Sequence, residues 1–392
     1  MLTDKFNLLP ENDLAEKQQR VRHFMKENGL DSVFIADNGN KYYLTGRIFS
    51  GYIIVTASNM YCFLKRPTCF NGNEVMLIRK VENISELIDV TKLGRIGFEL
   101  SQSPYNDVMR HAKAMHATDF GNADCVMMAA RAIKTPYEIR KIRTSSEALS
   151  AVYRTITDLY RPGMSDVELQ VEIERQSRLR GNLGIFRIIG QEMELNMGSV
   201  LAGENADNPS PYDFAMGGSG IDPSLPVGAD GTIIRPGMTV MVDTNGDFTG
   251  YMTDMTRTFA CGEVGEEAHR AHRLSIDICN AIAQAGKPGV RAADLYNLAI
   301  TMVTDAGLAD RFMGHNSQAG FVGHGVGIAI NEAPVIAPRS RDILALNNVI
   351  ALEPKFVIDG VGAVGIENTY VVTESGMLKL TDAPQDMLQL ND

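Results

Sequence analysis

Two aspartates, Asp243 and Asp254, stand within the stretch MVDTNGDFTGYMTDMTRTF, residues 241–259. The stretch reads as two strands joined by a turn. With the turn centred between Phe248 and Thr249, Asp243 lies directly opposite Asp254. Like charges facing each other in a hairpin repel, by roughly 4 kcal/mol at about 4 Å and an effective dielectric near 20. Three more groups of the same kind follow. His324 lies in FVGHGVGIAI, Glu353 in NVIALEPKFVI and Glu367 in AVGIENTYVV. Apolar neighbours predict burial for each, and a buried charge needs a partner. Lys355 and Arg257 are the nearby cations, too few for four carboxylates. A pair of divalent metal ions would reverse the repulsion. Oxygen-rich ligation with one imidazole suits manganese, iron, cobalt or zinc. Two such ions could clamp a hydroxide and polarise a carbonyl.

The elements that position these groups are legible in outline. The fold class is α/β (α+β), with a small domain over residues 1–130 and a larger one over 131–392. In the first, NDLAEKQQRVRHFMKENG has helical periodicity, with Asn12 as a cap and Gly29 as a stop. DSVFIA and GYIIVTA read as short buried strands. The second opens on Thr135, Pro136 and Glu138, a capping box with proline at the first helical position. Residues 161–181 resemble residues 287–307, with Pro162-Gly163, Leu169 and Gly181 matching Pro288-Gly289, Leu295 and Gly307. A strand echo places Asp243 against Glu353 at a different offset. One domain built from two similar halves, each giving carboxylates to a shared centre, is the expectation. Residues 190–235 are rich in Gly, Pro, Asn and Asp and read as a long functional loop.

Bulk properties exclude several classes. The 392-residue chain has 37 basic and 48 acidic residues, a net charge of −11. That argues against a nucleic-acid or anionic-membrane binder. Five scattered cysteines without a Cys-x-x-Cys pair speak against a disulfide framework or a cysteine zinc site. No apolar run approaches a membrane span, and the first residues lack a signal-peptide pattern. A cytoplasmic location is expected.

Together these motifs resemble the pita-bread metallopeptidase family, which includes Xaa-Pro aminopeptidase, prolidase, methionine aminopeptidase and creatinase. The resemblance rests on the paired aspartates ending in DMTRTF, the GHGVG histidine, the EP glutamate and the IENT glutamate. RVRHFMKENGLDSVFIADNGNKYYLTG is similar to the creatinase-type amino-terminal domain that precedes the pseudo-twofold catalytic domain in such proteins. The resemblance implies two divalent ions. Asp243 would bind one, His324 and Glu353 the other, and Asp254 and Glu367 would bridge. Glu353 would also carry a proton. A short peptide, Xaa-Pro by resemblance, is the implied substrate, and a homodimer the implied assembly.

Three positions depart from the peptidase pattern. Val227 stands where a histidine of a PHG segment is usual, Asn331 where a substrate-binding histidine is usual, and Gly365 where proline-specific members carry arginine. Valine cannot donate a hydrogen bond, whereas Asn331 could donate one to a carbonyl or oxyanion. If Glu353 faces Glu367 across the turn IDGVG, Lys355 lies opposite Gly365. Its ammonium then either holds a substrate carboxylate or balances the acidic groups. His315 is a further pocket candidate. Arg257 is expected to buttress the acidic groups, and His23, His111, His116, His269 and His272 to lie at the surface. The departures keep two alternatives open: a hydrolase or lyase acting on a small amide or amidine metabolite, and a catalytically inactive binding protein.

Overall fold

The computed structural model describes residues 5–70, 75–190, 195–212 and 216–390. It divides into two compact units, Met1–Arg131 and Ala132–Asp392. The first holds a six-stranded sheet in the order Val75–Leu77, Met60–Arg66, Ser50–Thr56, Ser32–Ile35, Ile96–Phe98, Phe120–Asn122. Its helix Glu11–Glu27 starts from Pro10, so Asn12 is inside the first turn rather than at the cap. Proline's fixed φ suits that junction. Gly29 follows the helix end with φ +63°, a conformation that favours glycine. His111, expected at the surface, is buried against Phe34 and Tyr52. Burial pushes its imidazole down to about 4. His111 follows Val108 by three residues and precedes Ala112, so it lies on the buried face of the helix Tyr105–Ala114, tilted against Phe34 and edge-on to Tyr52.

The second unit repeats itself. The turn at Pro162-Gly163 leads into the helix Asp166–Leu179, and the turn at Pro288-Gly289 leads into the helix Ala292–Asp305. Gly163 and Gly289 share φ +88°. Ser165 makes an isolated bridge to Ile233, and Arg291 makes the equivalent one to Ile343. The helix echo and the strand echo are thereby tied together in space. Each half has its own apolar core. Leu149, Val152, Leu169, Val240 and Val242 belong to one, and Ile278, Ile282, Leu295, Ile350 and Leu352 to the other. A small third cluster, in which Leu201 and Met241 meet Val357 and Ala363, joins the halves.

The capping box forms as expected: Thr135 N donates to Glu138 Oε2 at 2.9 Å, and Glu138 N donates to Thr135 Oγ1 at 3.2 Å. Its helix, Pro136–Tyr153, underlies the acidic hairpin. Tyr153 Oη lies between the two hairpin strands, donating to the Met255 carbonyl and accepting from Thr244 N at 3.1 Å.

Four strands, in the order Leu388–Leu390, Met252–Cys261, Met238–Asp247, Gly198–Ala202, form one sheet. Five, in the order Glu332–Ile336, Gly323–Gly325, Val349–Leu352, Asn368–Thr373, Gly376–Lys379, form the second. Lys355–Ile358 and Gly362–Gly365 pair separately as a short ribbon. The segment read as one long loop carries the strand Gly198–Ala202 and the short helix Gly203–Asp207; residues 191–194 and 213–215 lie outside the described set. The strand is buried against Met238–Asp247, and that apolar pairing outweighs the glycine-rich flanks. Among the described residues no helix is long and apolar enough to cross a membrane.

Candidate metal centre

The acidic hairpin pairs Met238–Asp247 with Met252–Cys261. Its register differs from the expected one: Asp243 is opposite Thr256, and Asp254 is opposite Asn245. The strands end at Asp247 and Met252, so the turn is centred one residue later than assumed. The shift keeps both carboxylates on one sheet face, since side chains alternate with a period of two. They are diagonal neighbours rather than a direct pair, which relieves part of the repulsion inferred from sequence. Asn245 and Thr256 take the facing positions, and Thr256 Oγ1 donates to Glu367 Oε2 at 2.8 Å.

Glu353 and Glu367 come from one interrupted hairpin. Leu352 pairs with Asn368, and Lys355 pairs with Gly365, so the same register holds on both sides of the break. Pro354 cannot donate a ladder hydrogen bond. The two glutamates sit at that break, where the carboxylates leave the sheets and turn toward Asp254. His324 joins from the strand Gly323–Gly325. Its Nε2 lies 3.2 Å from Glu353 Oε1 and 3.9 Å from both Asp254 Oδ2 and Glu367 Oε1. A Cβ on Gly323 would meet the Ala351 carbonyl at 2.5 Å, so the glycine permits the close strand approach.

Asp254, His324 and Glu367 each offer a donor atom within 4.8 Å of the others, and so do Asp243, Glu353 and Glu367. Among the described residues none donates a hydrogen bond to buried Glu367 Oε1. An acceptor in that state is costly unless a cation meets it. The group formed by Asp254, His324 and Glu367 therefore fits a divalent ion. The second group is different. Lys355 Nζ lies 2.8 Å from Asp243 Oδ2, 2.8 Å from Glu353 Oε2 and 3.4 Å from Glu367 Oε2.

The electrostatics follow from that crowding. Burial, then Glu367, Asp243 and Glu353, hold the Asp254 carboxyl well above its ordinary range. Burial and the neighbouring Glu353 push Glu367 up to about 8. Burial alone would raise Glu353, but Lys355 and His324 hold it down at about 2. Burial would lower His324, but its hydrogen bond to Glu353 and the nearby carboxylates raise it to about 9.

A cavity of about 310 Å³ opens onto these groups. Asp243, Asp254, His324, Glu353 and Glu367 line its polar end, and Phe186, Ile188, Leu195, Val227, Phe321 and Ile330 line much of the rest. Val227 faces the cavity as an apolar wall. Asn331 also faces it, yet its amide is engaged: Oδ1 accepts from Ile189 N at 2.7 Å and Nδ2 donates to Ile189 O at 2.6 Å. That clamp holds the backbone beside Phe186 and Ile188, which corrects the expectation of a donor aimed at substrate. His315 does not line the cavity; its Nδ1 lies 3.1 Å from Asp207 Oδ2, and its side chain is partly exposed. It follows a turn in which Met313 and Gly314 both have positive φ. Lys355 is fully buried and does not line the cavity either. Of its two expected roles, it fills the charge-balancing one.

Phe186, Ile188, Asn196, Ser199 and Phe321 also line the cavity and carry no motif in the sequence. They come from irregular segments with no diagnostic spacing, although Phe186 and Ile188 alternate about Arg187. His272, expected at the surface, is buried, and its Nε2 lies 2.7 Å from Gln385 O.

Arg257 buttresses the centre through the backbone rather than through its carboxylates. Its Nη1 donates to Glu367 O at 2.8 Å and to Thr256 O at 2.7 Å, and its Nη2 donates to Asn368 Oδ1 at 2.8 Å. Removing this buried guanidinium takes its donors from the Glu367, Ala383 and Pro384 carbonyls. Arg257→Ala is expected to cost about 3 kcal/mol or more of stability, read as a lowered denaturation midpoint. A midpoint unchanged in urea would show that the network does not support the fold.

The chain matches the description "Metallopeptidase family M24" over residues 140–374 and "Creatinase/Prolidase N-terminal domain" over residues 17–133. The chain belongs to metallopeptidase family M24. As a member of this pita-bread family it is a metallohydrolase, whose family chemistry uses divalent metal. It is 27% identical over 383 residues to a Xaa-Pro dipeptidase of Pyrococcus furiosus, covering 96% of this chain and 100% of that one. In structure this M24 chain resembles the prolidase of Pyrococcus horikoshii, with a TM-score of 0.78 and 22% identity over 95% of this chain and 100% of that one. It also resembles a Xaa-Pro dipeptidase of Bacillus anthracis, with a TM-score of 0.79 and 23% identity over 96% of this chain and 100% of that one. These likenesses match the small α/β domain followed by the larger catalytic one.

Proposed function

We propose that this chain hydrolyses the amide bond of short peptides, with Xaa-Pro peptides as the first substrate class. The observation that carries the proposal is the convergence of Asp243, Asp254, His324, Glu353 and Glu367 at one end of an otherwise largely apolar cavity. The names of the relatives support the substrate class, and apolar walls suit a pyrrolidine ring. Asp254, His324 and Glu367 would hold a divalent ion; manganese, cobalt, zinc and iron all suit such a donor set. A bound ion supplies Lewis acidity toward a carbonyl and lowers the pKa of water.

The protein's own groups do the rest. Glu353, held ionised beside Lys355 and His324, enters the reaction as a proton acceptor and can pass that proton to the leaving nitrogen. Val227, Phe186 and Ile188 exclude water from the apolar side of the substrate. Asn331 keeps the wall beside Ile189 in place. A homodimer acting in the cytoplasm belongs to the same proposal.

One observation favours the small-amide alternative. Among the described residues, no lysine or arginine lines the cavity to receive a free carboxylate. The test is a screen of the metal-loaded chain against Xaa-Pro dipeptides, longer Xaa-Pro peptides and small neutral amides. Cleavage of Xaa-Pro peptides is expected. Turnover confined to small amides would replace the peptide assignment, and no turnover with any of the four metals would favour the binding protein.

A further inference from the structure

We propose that the Lys355 ammonium takes the place of one of the two cations implied for this centre, so that each chain holds a single divalent ion at Asp254, His324 and Glu367. The proposal rests on the metal-dependent function above and deepens it by fixing the count. The three carboxylates that could form a second metal group, Asp243, Glu353 and Glu367, are the same three that hold Lys355 Nζ. Carboxylate–metal bonds are about 2.0–2.2 Å long for zinc. An ion at that distance from these oxygens would need the space and lone pairs already given to the ammonium.

The lysine has no evident way to step aside. Its side chain is fully buried, and an ammonium withdrawn from its three acceptors would be left unpaired in the interior. The strand pairing holds its backbone opposite Gly365. Gly365 has φ +141°, and a Cβ there would stand 2.9 Å from Lys355 Cα and 2.6 Å from the Pro354 carbonyl. The glycine and the lysine are thus one device: the small residue lets the strands close, and the long one crosses to the carboxylates.

Glu367 divides its two oxygens accordingly. Oε2 is 3.4 Å from Lys355 Nζ, while Oε1 has no hydrogen-bond donor among the described residues and faces His324 and Asp254. One side of the centre is therefore neutralised from within the chain, and the other is open to an ion. Asp243 and Glu353 act as hydrogen-bond acceptors for Lys355 instead of ligands to a second ion, and Lys355 is a positioning residue.

The experiment counts metal. The full chain is stripped with chelator, reloaded with excess manganese, desalted and analysed for metal per chain, for wild type and Lys355→Gly. One equivalent is expected in the wild type and two in Lys355→Gly, with spin-coupled manganese in the electron paramagnetic resonance spectrum of the variant alone. Two equivalents in the wild type, or one in both proteins, would overturn the proposal while leaving metal-dependent hydrolysis intact. No metal in either protein, with manganese or with cobalt, zinc or iron in its place, would overturn both. Thermal unfolding reports whether Lys355→Gly folds; if it does not, the wild-type count and spectrum still decide.

Discussion

His324→Ala is expected to abolish divalent-metal binding at the Asp254–His324–Glu367 group and to lower amide hydrolysis by on the order of a thousandfold, about 4 kcal/mol in the barrier. The imidazole is the only nitrogen donor in that group. It also hydrogen-bonds Glu353, the group assigned to proton transfer. The substitution therefore removes a ligand and changes the environment of the proton acceptor together. The fold should survive, because His324 contributes to the edge of a cavity and not to either apolar core. Elemental analysis, steady-state rates and a melting curve on the same preparation check all three statements. Retention of both metal and rate would show that the ligands lie elsewhere.

Loading the centre with a divalent ion is expected to release protons, and binding should tighten as the pH rises toward about 9. Without the ion, Glu367 is pushed up to about 8 by burial and Glu353, and His324 is raised to about 9 despite burial. Both must be deprotonated to act as ligands. Each proton displaced weakens apparent binding by about tenfold per pH unit below the group's own value. The sign for stability runs the same way. Both groups have folded values above their ordinary ones, so their contribution is present at low pH. For Glu367 it is lost between about 4.5 and 8, and for His324 between about 6.5 and 9. The metal-free chain should melt lower as the pH rises through that window, and the loaded chain should be protected. Calorimetric titration in two buffers of different ionisation enthalpy measures the released protons. Binding that stays flat from pH 6 to 9 without proton release would refute the linkage.

The charged groups were legible because their surroundings were wrong for them. Asp243, Asp254, His324, Glu353 and Glu367 interrupt apolar strands, and the structure gathers them at one end of one cavity. The helix repeat was legible because Pro-Gly turns and leucine spacing recur, and the helices Asp166–Leu179 and Ala292–Asp305 occupy corresponding positions. The turn centre of the acidic hairpin was not, because several hairpin closures satisfy the same pattern of residues and only packing selects one. Lys355 shows a different limit. Its position opposite Gly365 followed from counting along the hairpin, but whether its ammonium pointed to a ligand or to the carboxylates depended on its burial. Asn331 was read by its chemistry alone, and the neighbour that claims it, Ile189, lies far away in sequence.

The break at Pro354 makes the tip of that hairpin a setting for the chemistry. Ile358 pairs with Gly362 across a three-residue turn in which Gly360 has φ +71°. Turns of this length fix the pairing of the strands they join. Adding or deleting a single residue there would slip one strand by one position and turn its side chains to the opposite face. Lys355 would then lose its glycine, and Glu353 and Glu367 would no longer emerge side by side. The length of a surface turn, well away from the cavity, is therefore constrained by the geometry of the reactive groups. Kind is constrained there as well as number: Gly360 holds a positive φ, Asp359 Oδ1 lies 3.2 Å from Arg311 Nη1, and Val361 O accepts from Thr239 N at 2.9 Å.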